Sequence, residues 1–298
     1  MALKRTSGNV FRSSLQPFDY FEPTSIPETL ALLRRFKGKA RLMAGGTDLL
    51  VGMKKEKFAP KAVINIKNLP TLNFEPRIEK GRIILSPLTT LTDIAESHLL
   101  QKKLPMLPDT ALLMASPQVR NRATIGGNLC NAAPSADMTA PLMVLGTKVL
   151  FNTGKSQKTV PLEGFFRGPG ETVLGSTGIL LQIQIPLMRK GEEAAYRKHT
   201  VRMGMDIAVA GVAVSVLKKG RTIKDIKIAL GAVSPTVIRA RASENILRGS
   251  DVKDELILKA AESASCECCP ISDVRATEPY RLEMVKLFMV RALKGILS

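Results

Sequence analysis

Tryptophan is missing from this 298-residue chain, and aromatic residues make up only 4% of it. Platforms on which unpaired bases stack are therefore scarce. Histidine occurs twice, at His98 and His199, and neither lies in a carboxylate-rich motif, so neither is assigned as a catalyst. Cysteine occurs four times, and the basic N-terminus lacks the apolar h-region of a secretory signal. A disulfide framework is thereby disfavoured and a reducing cytoplasm expected. Three of the cysteines, Cys266, Cys268 and Cys269, form a C-x-C-C run, with Cys130 distant. Zinc and iron–sulfur sites normally draw ligands from separated pairs, so no metal ligand is assigned. No apolar run reaches the ~20 residues of a membrane span. The longest, 207–217, reads as a buried strand. Acidic residues are also few, 26 against 44 basic, for a net charge of +18. The basic residues are spread along the whole chain. That distribution favours an acidic partner or substrate over nucleic acid.

What the chain does carry is a pair of glycine-bearing turns. They read Leu42-Met43-Ala44-Gly45-Gly46-Thr47-Asp48-Leu49 and Thr124-Ile125-Gly126-Gly127-Asn128. Glycine permits positive φ and lets a ligand approach the main chain. Successive N–H groups in such turns make a concave donor set for phosphate. Two of them point to a ligand with two phosphates. Neither matches the G-x-G-x-x-G or G-x-x-x-x-G-K-[ST] pattern.

The length implies two or three domains. Residues 1–16 have no apolar period and read as a basic tail. Ser25-Ile26-Pro27-Glu28 has the form of a capping box, followed by a helix with Leu30, Leu33 and Lys37 on one face and a stop at Gly38. Strand signals recur at 41–44, 62–66, 82–86, 147–151 and 179–185. A helical pattern over 91–113 is broken at Pro105 and Pro108. From about Gly191, stretches 194–201, 207–217 and 222–233 predict an antiparallel sheet with short turns. The remainder is helical, ending in an apolar stripe of Leu282, Val285, Met289, Leu293 and Ile296. The fold class is α+β.

These segments, with Phe165-Phe166-Arg167-Gly168-Pro169-Gly170, the strand ending at Pro186, and the block from Met114 to Asp137, resemble the FAD-binding subunit of the molybdenum hydroxylases, the xanthine dehydrogenase and aerobic carbon monoxide dehydrogenase group. The resemblance runs from about Phe18 to the end of the chain. It implies an FAD-binding fold of two α+β subdomains, of the PCMH/vanillyl-alcohol-oxidase type, plus a C-terminal antiparallel sheet with helices. The corresponding division is a tail (1–16), an FAD-binding domain (17–190, with subdomains of about 17–72 and 73–190) and a C-terminal flavoprotein domain (191–298). The resemblance assigns FAD contacts to Leu42, Met43, Ala44, Gly45, Gly46, Thr47, Asp48 and Leu49, with the main-chain N–H groups from Gly45 to Asp48 facing the pyrophosphate. It assigns Thr124, Ile125, Gly126, Gly127 and Asn128 to the phosphate and ribityl region. It further assigns Met114 beside the isoalloxazine, Asp137 as a hydroxyl acceptor, the backbone of Leu180, and Lys198 as a cation near the flavin. On the residues alone, Met114 could equally be helix core, Asp137 a helix cap and Lys198 an exposed strand lysine. Tyr196 shares a strand face with Lys198. Asp273 and Arg275 are available for an ion pair or a subunit contact.

No catalytic side chain is expected, since the cofactor carries the chemistry. By resemblance, [2Fe-2S] clusters on a small subunit and molybdopterin on a large subunit feed electrons to FAD, and NAD+ or another acceptor receives them. Obligate partners follow, in a dimer of heterotrimers. The 126–137 stretch looks more like xanthine dehydrogenase than carbon monoxide dehydrogenase. The alternatives are the medium subunit of an aerobic carbon monoxide dehydrogenase or aldehyde oxidoreductase, or a stand-alone flavin carrier or diaphorase.

Overall fold

The computed structural model describes residues 15–202 and 205–297. Most of the expected tail, together with Met203, Gly204 and Ser298, lies outside the described residues. The chain opens with β1 (Asp19–Phe21), α1 (Ile26–Arg35), β2 (Ala40–Met43), α2 (Thr47–Lys54) and β3 (Ala62–Asn65). Both β1 and β2 pair in parallel with β3. At the start of α1, Ser25 accepts the Glu28 N–H at 3.3 Å. The expected capping box is only half formed, because the Glu28 carboxylate takes the Thr24 N–H at 2.8 Å instead of that of Ser25. The helix ends at Arg35, so Lys37 falls outside it, at φ 45° before Gly38 at φ 84°.

Next come β4 (Arg77–Glu79), β5 (Arg82–Leu85), α3 (Leu91–Glu96), α4 (His98–Lys103), α5 (Met106–Leu112), α6 (Pro117–Arg120), α7 (Ile125–Asn131) and α8 (Thr139–Val144). The stretch expected to break at Pro105 and Pro108 breaks instead at Ser97 and Pro105. Pro108 sits in the first turn of α5, where an N–H has no helical acceptor and its absence costs little. A complete capping box, Thr90 with Asp93, starts α3.

Strands β6 (Lys148–Asn152), β7 (Gln157–Pro161), β8 (Phe166–Gly168), β9 (Glu171–Thr172) and β10 (Ile179–Pro186) follow. An antiparallel sheet forms in the order β4-β5-β10-β6-β7, and β8 and β9 make a separate pair. The last region holds β11 (Glu192–His199), β12 (Ala210–Lys219), β13 (Thr222–Gly231) and β14 (Ile238–Arg239), antiparallel in chain order. Helices α9 (Arg241–Leu247), α10 (Asp254–Cys266) and α11 (Glu278–Leu297) close the chain. The sheet was expected with short turns, but residues 200–209 separate β11 from β12. Ile207, expected in the strand, is 47% exposed in that connection.

Alternation decides how this last sheet is buried. Val212, Val214 and Val216 on one face of β12 meet Val285, Met289, Leu293 and Ile296 of α11. Leu282, expected in the same stripe, is only partly buried. On the other face Tyr196, Ala213 and Ala229 join the central core beneath β5, β10 and the helices α3 to α8. The sheet is thus covered on both sides, with all six residues of α8 buried against it. A third, smaller cluster of Leu30, Leu33, Ile64, Ile66 and Leu72 lies under the parallel strands and meets Leu181 of β10. No helix among the described residues is long and apolar enough to cross a membrane.

Candidate cofactor-binding site

Each glycine pair proves to be a helix start rather than a free-standing turn. Gly46 is the N-cap of α2 in the left-handed region, at φ 78°, and supplies no side-chain cap. Among the described residues the N–H groups of Gly45, Gly46, Thr47, Asp48 and Leu49 meet no acceptor. Leu50 is the first to close a turn, onto the Gly46 carbonyl at 3.0 Å. These open donors at the positive end of a helix form an anion-binding feature.

The second segment is different. Its N–H groups are already used: Ile125 to the Thr89 carbonyl at 3.0 Å, Gly126 to that of Pro87 at 2.9 Å, and Asn128 to that of Thr124 at 2.9 Å. Gly127 bonds the capping hydroxyl of Thr124 at 3.0 Å. Four of the five N–H groups in 124–128 expected to cradle phosphate are therefore spent, two on the Thr89 and Pro87 carbonyls and two on Thr124 in the first turn of α7. What remains free is the Asn128 side-chain oxygen, buried without a partner.

The two segments touch. A Cβ on Gly45 would overlap the Arg122 carbonyl and lie 3.0 Å from the Ala123 Cα. One on Gly126 would lie 2.5 Å from the Pro87 oxygen. In both cases glycine admits protein backbone. Gly127 is the open member, since a Cβ there would meet only Thr124 Oγ1, at 3.0 Å.

A buried polar cluster forms where α8 meets β11. Asp137 does not cap α8; that position is held by Met138. Its Oδ1 instead accepts from the Tyr196 hydroxyl at 2.9 Å, and its Oδ2 from Lys198 Nζ at 2.9 Å. Lys198 also donates to the Asp206 carbonyl at 3.0 Å. The Lys198 side chain is 5% exposed, which overturns the exposed-lysine alternative. Burial pushes the Asp137 carboxyl up, against the opposing pull of Lys198. Burial, reinforced by the Asp137 charge, pushes the Tyr196 phenol well above its ordinary range, so it stays a neutral donor. An ammonium has three N–H donors. Two are taken here, and the third has no partner among the described residues.

Met114 lies just past α5, in the central core, ahead of Ala115 at φ 48°. Arg120, which no local sequence pattern singles out, pins this corner by donating to the carbonyls of Met114 at 2.9 Å and Ala115 at 3.2 Å. Leu180 is buried in β10 opposite Phe151, beside a register shift that frees local backbone. Asp273 pairs with Arg275 at 2.5 Å and with buried Arg281 at 2.8 Å. Arg281 also donates to the carbonyls of Val209 and Ala232. Among the described residues no three His, Cys, Asp or Glu are grouped to hold a metal ion. Cys266 and Cys269 are exposed, and burial pushes the Cys268 thiol up to about 12.

The open donors of 45–49, the unpartnered Asn128 oxygen and the third Lys198 donor suit a long ligand with phosphates at one end and hydrogen-bond acceptors at the other. The fold is α+β, and these features are compatible with a phosphate-bearing ligand. Comparison with known proteins agrees. Residues 16–188 match the FAD binding domain in molybdopterin dehydrogenase, and residues 191–296 match the CO dehydrogenase flavoprotein C-terminal domain. The chain belongs to this family, the FAD-binding subunits of the molybdenum hydroxylases. The carbon monoxide dehydrogenase medium chain of Hydrogenophaga pseudoflava is 34% identical over 93% of this chain and 96% of its own length. The xanthine dehydrogenase FAD-binding subunit of Escherichia coli O157:H7 is 30% identical over 83% and 85%. A solved carbon monoxide dehydrogenase structure from Hydrogenophaga pseudoflava superposes with a TM-score of 0.92 at 35% identity, covering 95% of this chain and 98% of that one.

Proposed function

We propose that this chain is the electron-transfer subunit of a multi-subunit molybdenum hydroxylase. It takes electrons from [2Fe-2S] clusters of a small subunit and passes them to NAD+ or another acceptor. A large molybdopterin subunit oxidises the organic substrate, and the assembly is a dimer of heterotrimers. The observation that carries this reading is the family match, supported by the open N–H donors at the start of α2 and the remaining donor of Lys198.

When bound, FAD supplies one- and two-electron redox chemistry that no side chain offers. The residues of this chain do the rest. The N–H groups of 45–49 would hold the pyrophosphate, and Asn128 would accept or donate through its free amide. Met114 and Leu180 would exclude water from the ring. Lys198, hydrogen-bonded to Asp137, would place a positive charge beside it and so favour added electrons.

The 126–137 stretch favours a xanthine dehydrogenase-like complex. A carbon monoxide dehydrogenase-like complex is the second reading, favoured by the 34% identity to that medium chain. The test is purification of the complex from its native host. Bleaching of the flavin by a purine but not by carbon monoxide supports the first reading, and the reverse supports the second. Reoxidation by NAD+ identifies the acceptor.

A further inference from the structure

The hydroxyl of Tyr196 reaches Asp137 only because of a gap in the next strand. In the β11–β12 register Tyr196 faces Ala213 and Lys198 faces Gly211. Gly211 is therefore the diagonal neighbour of Tyr196. A Cβ on Gly211 would lie 2.6 Å from the Tyr196 hydroxyl oxygen, 3.2 Å from Cε2 and 3.3 Å from Cζ. The ring leans along the strand into the space that Gly211 leaves. With Tyr196 only 7% exposed, its hydroxyl needs a partner inside the protein. That partner is Asp137 Oδ1, on the far side of the carboxylate from Lys198.

We propose that Tyr196, seated over Gly211, is a positioning residue: it fixes the Asp137 carboxylate and thereby aims the Lys198 ammonium at the bound cofactor. A carboxylate held by one partner alone can rotate. Held on both oxygens, it keeps Lys198 from collapsing into a bidentate pair and leaves the third ammonium donor for the ligand. Gly211 and Tyr196 thus act on the flavin without touching it. This inference rests on the FAD reading above.

The test uses the full chain with whichever subunits co-purify, and three variants: Tyr196→Phe, Gly211→Ala and the double variant. The readouts are the FAD dissociation constant, the flavin midpoint potential and the melting temperature. Loss of a hydrogen bond to a buried charge should weaken FAD binding by about tenfold in Tyr196→Phe and shift the potential to more negative values. Gly211→Ala should act in the same direction, and the double variant should bind little worse than Tyr196→Phe, because no hydroxyl is left to displace. Unchanged affinity and potential in Tyr196→Phe overturn the proposal, even if the melting temperature falls. Fully additive losses in the double variant also overturn it. If Gly211→Ala does not fold, Tyr196→Phe decides alone. If the unsubstituted chain takes up no FAD, the FAD reading itself fails, a result distinct from either.

Discussion

Two buried or half-buried ion pairs set the behaviour of single residues. Asp137 and Lys198 are both almost fully enclosed. Removing one partner leaves an uncompensated buried charge. Lys198→Met should therefore cost about 3–5 kcal/mol of stability. Adding Asp137→Asn should recover part of that loss, measured by urea unfolding of the FAD-free chain. Glu192 behaves differently. Burial opposes its ionisation, but hydrogen bonds from Arg189 and Ser215 win and hold its carboxyl at about 2, against an ordinary 4.5. A depressed folded value means stability that is complete above about 4.5 and lost as the pH falls towards 2. Glu192→Gln should lessen the loss of stability across that window, seen as a melting temperature that falls less steeply with acid than that of the unsubstituted chain. An unaltered acid limb would show that the pair contributes nothing.

At the scale of elements, the glycines divide by what they admit. Gly126 must stay small because Pro87 lies against it, whereas a Cβ on Gly127, in the first turn of α7, would meet only the capping Thr124 hydroxyl, at 3.0 Å. Gly126→Ala should destabilise the fold. Gly127→Ala should change the stability of the FAD-free chain by less than about 1 kcal/mol, because the helical gain of alanine over glycine is offset by its tight contact with the Thr124 cap. If the cofactor passes close to Gly127, the same change should weaken FAD binding, read by flavin fluorescence titration. Stronger or equal binding would place the cofactor elsewhere. The contrast also shows what the sequence could reveal. The Gly45-Gly46 and Gly126-Gly127 pairs were visible as special backbone, and the strands at 62–66, 82–86 and 179–185 were legible from their apolar runs. That Gly45 abuts the Arg122 carbonyl, or that the Ile125 and Gly126 N–H groups are spent on Thr89 and Pro87, depends on contacts between distant segments that no local pattern encodes. The capping box at 25–28 failed for a similar reason: Thr24 offers Glu28 two donors at once. The family resemblance singled out Asp137 and Lys198 separately as cofactor contacts, and that they pair with each other was not legible. The third member of the cluster, Tyr196, was placed on the correct face by alternation, but its partner could not be.

For the whole molecule, the net charge of +18 is long-range and should act on association rather than on the fold. An acidic partner subunit should dock more slowly as ionic strength rises, with the Debye length shrinking from about 10 Å at 0.1 M salt to about 3 Å at 1 M. Stopped-flow association rates that ignore salt would argue against charge-led docking. On the proposed reading this chain binds one FAD between the start of α2, α7 and the Asp137–Lys198 pair. The most direct measurement is the absorbance spectrum and flavin content of the chain purified from its native host with whatever accompanies it. The account predicts flavin bands at one FAD per chain, with iron and molybdenum in companion polypeptides. A colourless chain that also fails to take up added FAD would contradict it.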